Sequence, residues 1–140
     1  MFGLGSINPE EEIIQSYLAD DSGYCYVFTS DNRVMYVGKS SGKIKSRMNQ
    51  YLRPKPSQST NVRNHRLIVE QLSNNKPVDL WVTQVFFDFL GKKVNISSGL
   101  ERFFVKRYRS HVEQGGWNNW SLKKCTKEFG DKWEISEWPA

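Results

Sequence analysis

Two short runs of β-favouring residues constrain the fold of this chain more than any other feature. Tyr24 to Thr29 (YCYVFT) and Val34 to Val37 (VMYV) flank Ser30-Asp31-Asn32-Arg33, a cluster of turn-forming residues. The unit reads as a β-hairpin. A second strand signal, Asp79 to Phe87 (DLWVTQVFF), lies some forty residues further on. The segments between and around them carry helical spacing. Lys43 to Leu52 places Ile44, Met48, Tyr51 and Leu52 on one side, and Thr60 to Leu72 places His65, Ile68, Val69 and Leu72 in phase. Leu100 to Val112 is apolar at Leu100, Phe103, Phe104, Tyr108 and Val112, with Gly115-Gly116 as the stop. The expected fold is α+β: a small, mainly antiparallel three-stranded sheet, made of a hairpin plus a later strand, flanked by helices.

The ends are of different character. Asn8-Pro9-Glu10-Glu11-Glu12 reads as a capped helix start, so residues 1–22 are expected to be an N-terminal helical extension. Residues 23–119 form the expected main domain, with an insertion near 54–66 around Pro54-Lys55-Pro56. Gly91 to Ser98 reads as a polar loop. Residues 120–140 are a Trp-rich tail of little periodicity, expected to pack on the same domain. At 140 residues the chain suits one domain with one real core.

Charge narrows the function. The chain carries +5 overall, yet from Arg33 to Arg66 there are nine bases and no acid. Thirty-four residues without a carboxylate concentrate positive potential, and nucleic acid is the commonest polyanion for such a face. A solvated basic surface with no partner is the plainer alternative. No apolar run approaches the roughly 18 residues a membrane span needs, and no membrane partner is expected. Two cysteines, Cys25 and Cys125, make neither a four-cysteine zinc site nor a disulfide framework. A reducing, cytoplasmic setting follows as the expectation.

The hairpin and the helix after it hold the informative residues: Tyr24-Cys25-Tyr26, then Tyr36-Val37-Gly38-Lys39, then Arg47 and Tyr51. Glu101 opens the later helix, and Trp117-Asn118 follows it. This order resembles the GIY-YIG nuclease family. Tyr24-Cys25-Tyr26 stands for the first half-motif, with Gly-Ile replaced, and Tyr36-Val37-Gly38 for the second, ten positions from tyrosine to tyrosine. Arg47 matches the family's helical arginine, Tyr51 the aromatic or His four residues beyond it, and Glu101 the metal-binding glutamate. Lys39 is a frequent family feature, and Gly38 and Asn118 match structural positions. Departures are a loop about one residue longer before Arg47, a long gap from Arg47 to Glu101, and Gly115-Gly116 where the family has proline.

The resemblance implies a metal-dependent DNA endonuclease. Tyr26, Tyr36, Arg47, Glu101, Lys39 and Tyr51 would be catalytic, and Glu101 would ligate one Mg²⁺ (or Mn²⁺). Lys43, Lys45, Arg53, Lys55, Arg63 and Arg66 would contact DNA. No small-molecule cofactor is expected, and monomer and homodimer both stay open. A compact standalone nuclease of phage, mobile-element or bacterial origin is implied. The residue types suit the chemistry: Arg47 can fork onto phosphate oxygens, and Glu101 offers a hard oxygen ligand. Tyr26 or Tyr36 would hold or deprotonate the water, although moving a phenol from about 10 to 7 takes on the order of 4 kcal/mol. The alternative function is a nucleic-acid-binding module on the same fold that does not cut.

Each residue also has an ordinary role open to it. Tyr26 and Tyr36 could be a cross-strand aromatic pair. Arg47 could be a solvated helix residue, and Tyr51 core. Ser98-Gly99-Leu100-Glu101 matches a capping box, so Glu101 could merely close a helix start. A shared site further requires both tyrosines on one face of the sheet. A two-residue turn at Asp31-Asn32 pairs Tyr26 with Val37 and separates them unless a bulge compensates, so the expectation is a three- or five-residue loop with Tyr26 opposite Tyr36, Arg47 and Glu101 near that face, and a metal or water between them.

Overall fold

The computed structural model describes residues 2–6 and 23–119. It shows an α+β fold. Strands β1 (Phe2–Ser6), β2 (Tyr24–Ser30), β3 (Arg33–Ser40) and β4 (Val78–Gln84) form one antiparallel sheet in the order β1-β4-β2-β3. Helices α1 (Ile44–Leu52) and α2 (Ser59–Ser73) lie between β3 and β4 in the chain. A second hairpin, β5 (Phe86–Phe89) and β6 (Lys92–Asn95), precedes α3 (Ser97–Tyr108). Among the described residues no helix is long and apolar enough to cross a membrane.

Period-two alternation sorts the sheet into two faces. Tyr24, Tyr26, Phe28, Tyr36, Val78, Leu80 and Val82 pack with Ile44, Met48, Tyr51 and Leu52 of α1, Ile68 of α2, and Trp117. Cys25, Val27 and Val37 point the other way, onto Val85 and Val105, with Leu100 and Phe104 of α3 against them. The central strand β2 is apolar on both faces, which accounts for its unbroken YCYVF run.

The structure corrects several expectations. The sheet gains β1, within the segment read as a helical extension. Its Phe2-Gly3-Leu4-Gly5-Ser6 has little β propensity of its own and is a strand because it pairs the outer edge of β4. The helix expected from Asn8 and the Trp-rich tail lie outside the described residues. The run from Asp79 to Phe87 is two strands in two sheets, divided at buried Val85. The polar loop read over Gly91 to Ser98 contains β6, turned back on β5 by Leu90-Gly91. Helix α3 stops short of Val112 because Arg109 adopts a left-handed conformation (φ 52°), its N–H donating to the Val105 carbonyl. That turn lets the chain double back, with Asn118 N–H donating to the Ser110 carbonyl at 2.8 Å. Gly116 lies against the Ser110 backbone, where a Cβ would overlap it.

The first hairpin is the instructive correction. Its loop has two residues, Asp31 and Asn32, both left-handed (φ 54° and 59°), the signature of a type I′ turn. Ser30 pairs with Arg33 and Thr29 with Val34, but Phe28 then pairs with Tyr36, leaving Met35 as an extra residue. Tyr26 therefore faces Gly38, not Tyr36. The bulge resets the alternation, so Tyr26 and Tyr36 share a face even though the turn has two residues.

Candidate active site

Tyr26 lies across Gly38. A Cβ at position 38 would fall inside the Tyr26 ring, so glycine is required there for close approach. The rings of Tyr26, Tyr36 and Tyr51 form a mutual cluster, with centroids 6.3, 6.0 and 6.2 Å apart for the pairs 26–36, 26–51 and 36–51. The hydroxyls of Tyr26 and Tyr51 share a hydrogen bond of 2.5 Å.

Arg47 binds this cluster from α1. Its Nε donates to the Tyr26 hydroxyl at 3.1 Å and its Nη2 to the Tyr51 hydroxyl at 2.8 Å. The Tyr51 pairing is the i, i+4 contact of one helix face, and the guanidinium also lies 4.5 Å from the Tyr51 ring centroid. Nη1 donates to Gln50 Oε1 at 2.5 Å and to Asn61 Oδ1 at 3.0 Å. Asn61 is buried in the first turn of α2, and its Nδ2 donates to Gln58 Oε1 at 2.9 Å. That bond turns the amide so that its oxygen faces the arginine. Sequence reading passed over Gln58 and Asn61, which lie in the segment read as a DNA-binding insertion. The one hint was that Asn61 and Asn64 fall in phase with Ile68, two polar residues on a buried helix face.

Burial governs the protonation of the cluster. Desolvation pushes Tyr26 well above the ordinary phenol range, with its neighbour Tyr36 adding to the rise and Arg47 opposing it. Tyr36 and Tyr51 are raised too, again chiefly by burial. Burial alone would depress Arg47, but the phenolic oxygens around it more than reverse that, so the guanidinium stays charged. In the free protein these are three neutral phenols around one fixed cation.

Lys39 and Glu101 stand on the other side of β3. Lys39 alternates away from Gly38, and its ammonium donates to the Ser98 hydroxyl at 2.7 Å. The capping-box role of Glu101 is not formed: the N-cap of α3 is Ile96, which places Ser98 inside the first turn with its hydroxyl taken by Lys39. Glu101 is half-buried, and its charge reaches both faces of the strand. Burial pushes Cys25 up to about 12, with Glu101 adding to the rise, and Glu101 contributes to the rise of Tyr36 as well. The structure thus brings Tyr26, Tyr36, Tyr51 and Arg47 into one cluster and sets Lys39 and Glu101 across the edge strand from it.

The remaining expected residues divide. Asn118 acts as a strand substitute on the free edge of β3: its Oδ1 accepts from Val37 N–H at 2.9 Å and its Nδ2 donates to the Val37 carbonyl at 2.8 Å. Lys43, Arg53, Lys55 and Arg66 are exposed and Lys45 half-exposed, on α1, α2 and the loop between them. Arg63 is half-buried and donates to the Trp117 carbonyl at 2.5 Å. Arg33 likewise ties the first hairpin to the carbonyls of Arg109 and Gln114. An open groove of about 760 Å³ at that hairpin's tip, lined by Trp81, Asp79 and Arg107 among others, contains none of the clustered groups.

The fold has a solved counterpart. A mutant of bacteriophage T4 EndoII superposes with a TM-score of 0.53 at 18% identity, over 75% of this chain and 84% of that one. A restriction endonuclease, HPY188I, in complex with product DNA gives a TM-score of 0.39 at 20% identity, over 69% of this chain and 65% of that one. The likeness to EndoII is one of fold. No family model matches the sequence, and no curated protein matches it.

As to what a metal would find here, Glu101 offers one half-exposed carboxylate. Among the described residues no three His, Cys, Asp or Glu side chains cluster as a ligand set. One carboxylate beside a basic surface fits Mg²⁺, which commonly binds through one or two carboxylates plus substrate phosphates and waters.

Proposed function

We propose that this protein is a metal-dependent endonuclease of the GIY-YIG type that hydrolyses DNA phosphodiester bonds. The observation that carries the reading is the convergence of the Tyr26 and Tyr51 hydroxyls on the Arg47 guanidinium, packed over Gly38. A buried tyrosine pair gripping a charged arginine exceeds what sheet packing needs. The fold likeness to bacteriophage T4 EndoII supports it, as does the acid-free stretch from Arg33 to Arg66 with its nine bases.

Glu101 would hold the cation, which when bound supplies positive charge to the phosphoryl group. The chain's own residues do the rest. Arg47 stabilises the phosphate as negative charge develops, its guanidinium held in plane by the two hydroxyls and Asn61. Gln50 is its exposed partner, and therefore the contact a phosphate oxygen replaces most readily. Tyr26 and Tyr36 enter the reaction protonated, since burial holds both above the ordinary range; their first task is orientation, and proton transfer follows only after substrate closes the site. Lys39, fixed by Ser98, adds a second cation on the far side of β3. The exposed bases of α1 and α2 position the duplex through its backbone.

One observation favours the second reading, a binding module that does not cut: Arg47 is already engaged by four partners inside the protein. Nicking of supercoiled plasmid, with and without Mg²⁺ or Mn²⁺, decides. Cation-dependent open-circle and linear products are expected. DNA binding in a gel shift with no nicking under any cation refutes the enzyme and leaves the module.

A further inference from the structure

The β5–β6 hairpin breaks two rules of surface design at a single residue. Its two-residue loop, Leu90-Gly91, has φ of 51° and 78°. A type I′ turn calls for Asn, Asp or Gly at the first of these positions, and the first hairpin of this molecule obeys with Asp31-Asn32. Here the position holds a leucine, a side chain disfavoured in the left-handed region. Leu90 is also 88% exposed, next to Phe89 at 58%. The tip stands in open space, since a Cβ on Gly91 would meet nothing within 4 Å. Leu90 thus combines backbone strain with apolar exposure, and a side chain this exposed makes little contact among the described residues to compensate. Strain of this kind persists where a function selects it.

The surroundings identify the partner. Lys92 and Lys93 follow the tip and are exposed, with Asp88 opposite Lys93 as the hairpin's one acid. The base is rigid: Val85 is buried, its carbonyl accepts from Ile96 N–H at 2.8 Å, and Phe86 packs over Gly23. A four-residue strand projects the tip by about 13 Å. Only Ile96 separates β6 from α3, which carries Glu101. An apolar tip on a rigid arm, with two lysines beside it and the proposed cation ligand behind it, has the composition of a wedge that enters a base step while lysines meet the flanking phosphates.

We infer that the β5–β6 hairpin is a DNA wedge, inserting Leu90, supported by Phe89, between stacked base pairs beside the cleavage centre. The inference rests on the DNA reading above. The test uses Leu90→Asn, which suits the left-handed position, so its Tm should equal or exceed that of wild type. Relaxed closed plasmid is incubated with protein in EDTA, treated with a cation-independent topoisomerase, and its linking number read. A wedge untwists DNA wherever it binds, so no knowledge of sequence preference is needed. Wild type should shift the topoisomer distribution. Leu90→Asn should bind on the order of tenfold more weakly, from the lost burial of one leucine, and give no shift at equal occupancy. An equal shift from the variant, or none from wild type, overturns the inference. So does a wild-type dimer that Leu90→Asn turns into monomer without DNA, since the tip would then be covered by a second copy. Cleavage is blocked in EDTA, so the linking number is read apart from nicking; a protein that shifts it in EDTA yet does not nick when Mg²⁺ or Mn²⁺ is supplied refutes the nuclease reading and leaves the wedge standing.

Discussion

Arg47→Ala should destabilise the protein as well as silence it. The wild-type side chain satisfies four acceptors. Gln50 is exposed and rehydrates at no penalty. Tyr26 and Tyr51 keep the bond between their hydroxyls. Asn61 fares worst: it is 4% exposed, and its Oδ1 loses its partner while Nδ2 stays on Gln58. A buried acceptor left unpaired costs about 1–3 kcal/mol. Losing the guanidinium from the Tyr51 face adds about 0.5–1 kcal/mol. The sum is about 1.5–4 kcal/mol, or a Tm lower by about 5–14 °C for a domain of this size. Circular dichroism melts measure the fall, and nicking is then assayed at 20 °C, where the variant is still folded. Cleavage should be lost while DNA binding weakens only modestly, because one phosphate contact is a small share of the basic face. A variant melting within 2 °C of wild type would show that Arg47 does not hold the cluster. One that cuts within tenfold of wild type would remove Arg47 from the chemistry.

Three further outcomes are expected. Glu101→Gln should melt close to wild type and fail to nick, since α3 starts at Ser97 with Ile96 as its N-cap and no capping box depends on the carboxylate; normal nicking would return Glu101 to a structural role. Stability should fall in alkali: burial raises Tyr26, Tyr36 and Tyr51 above the unfolded value of about 10, so the folded state binds more protons, and stability complete below pH 9 is lost as pH climbs past 10. Urea midpoints at pH 8 and 10.5 measure this, and a Tyr51→Phe variant with an undiminished drop would contradict it. Asn61→Asp should nick on the order of tenfold more slowly, because a carboxylate on Nη1 holds the guanidinium against release to phosphate; an unchanged rate would mean that Arg47 does not need to move.

The sequence revealed those parts of the fold whose burial is periodic or unbroken. α1, α2 and the first two turns of α3 repeat apolar residues at helical spacing, and β2 is one continuous apolar run, so pattern alone found them. Elements defined by pairing escaped it. β1 is Gly-rich and exists because β4 has an open edge. β6 is Lys-Lys-Val-Asn, indistinguishable from a loop until Phe86–Phe89 lies beside it. The end of α3 turns on the left-handed Arg109, a residue that announces nothing. In the site, the order Tyr26, Tyr36, Arg47 and Tyr51 was legible because one hairpin and one helix place all four. Asn61 and Gln58 were not, because the loop before α2 brings them back onto Arg47 by a path that no local spacing encodes.

The bulge at Met35 joins these two levels. Asp31-Asn32 makes a two-residue turn by its own chemistry, and a regular ladder from that turn would put Tyr36 among the α3 contacts, across the sheet from Tyr26. One supernumerary residue reverses that. The bulge in turn needs holding, because β3 is an edge strand with an unpaired side. The segment after α3 supplies the hold: Trp117 N–H donates to the Met35 carbonyl itself, and the Asn118 amide closes on both backbone groups of Val37, two residues along. Asn118 receives a second grip from Ser110, whose hydroxyl donates to Oδ1 at 2.7 Å. An asparagine some eighty residues away in sequence, touching none of the clustered hydroxyls, thereby braces the register on which their meeting depends. A chain without Met35 would keep every tyrosine and the arginine, and would have no shared site.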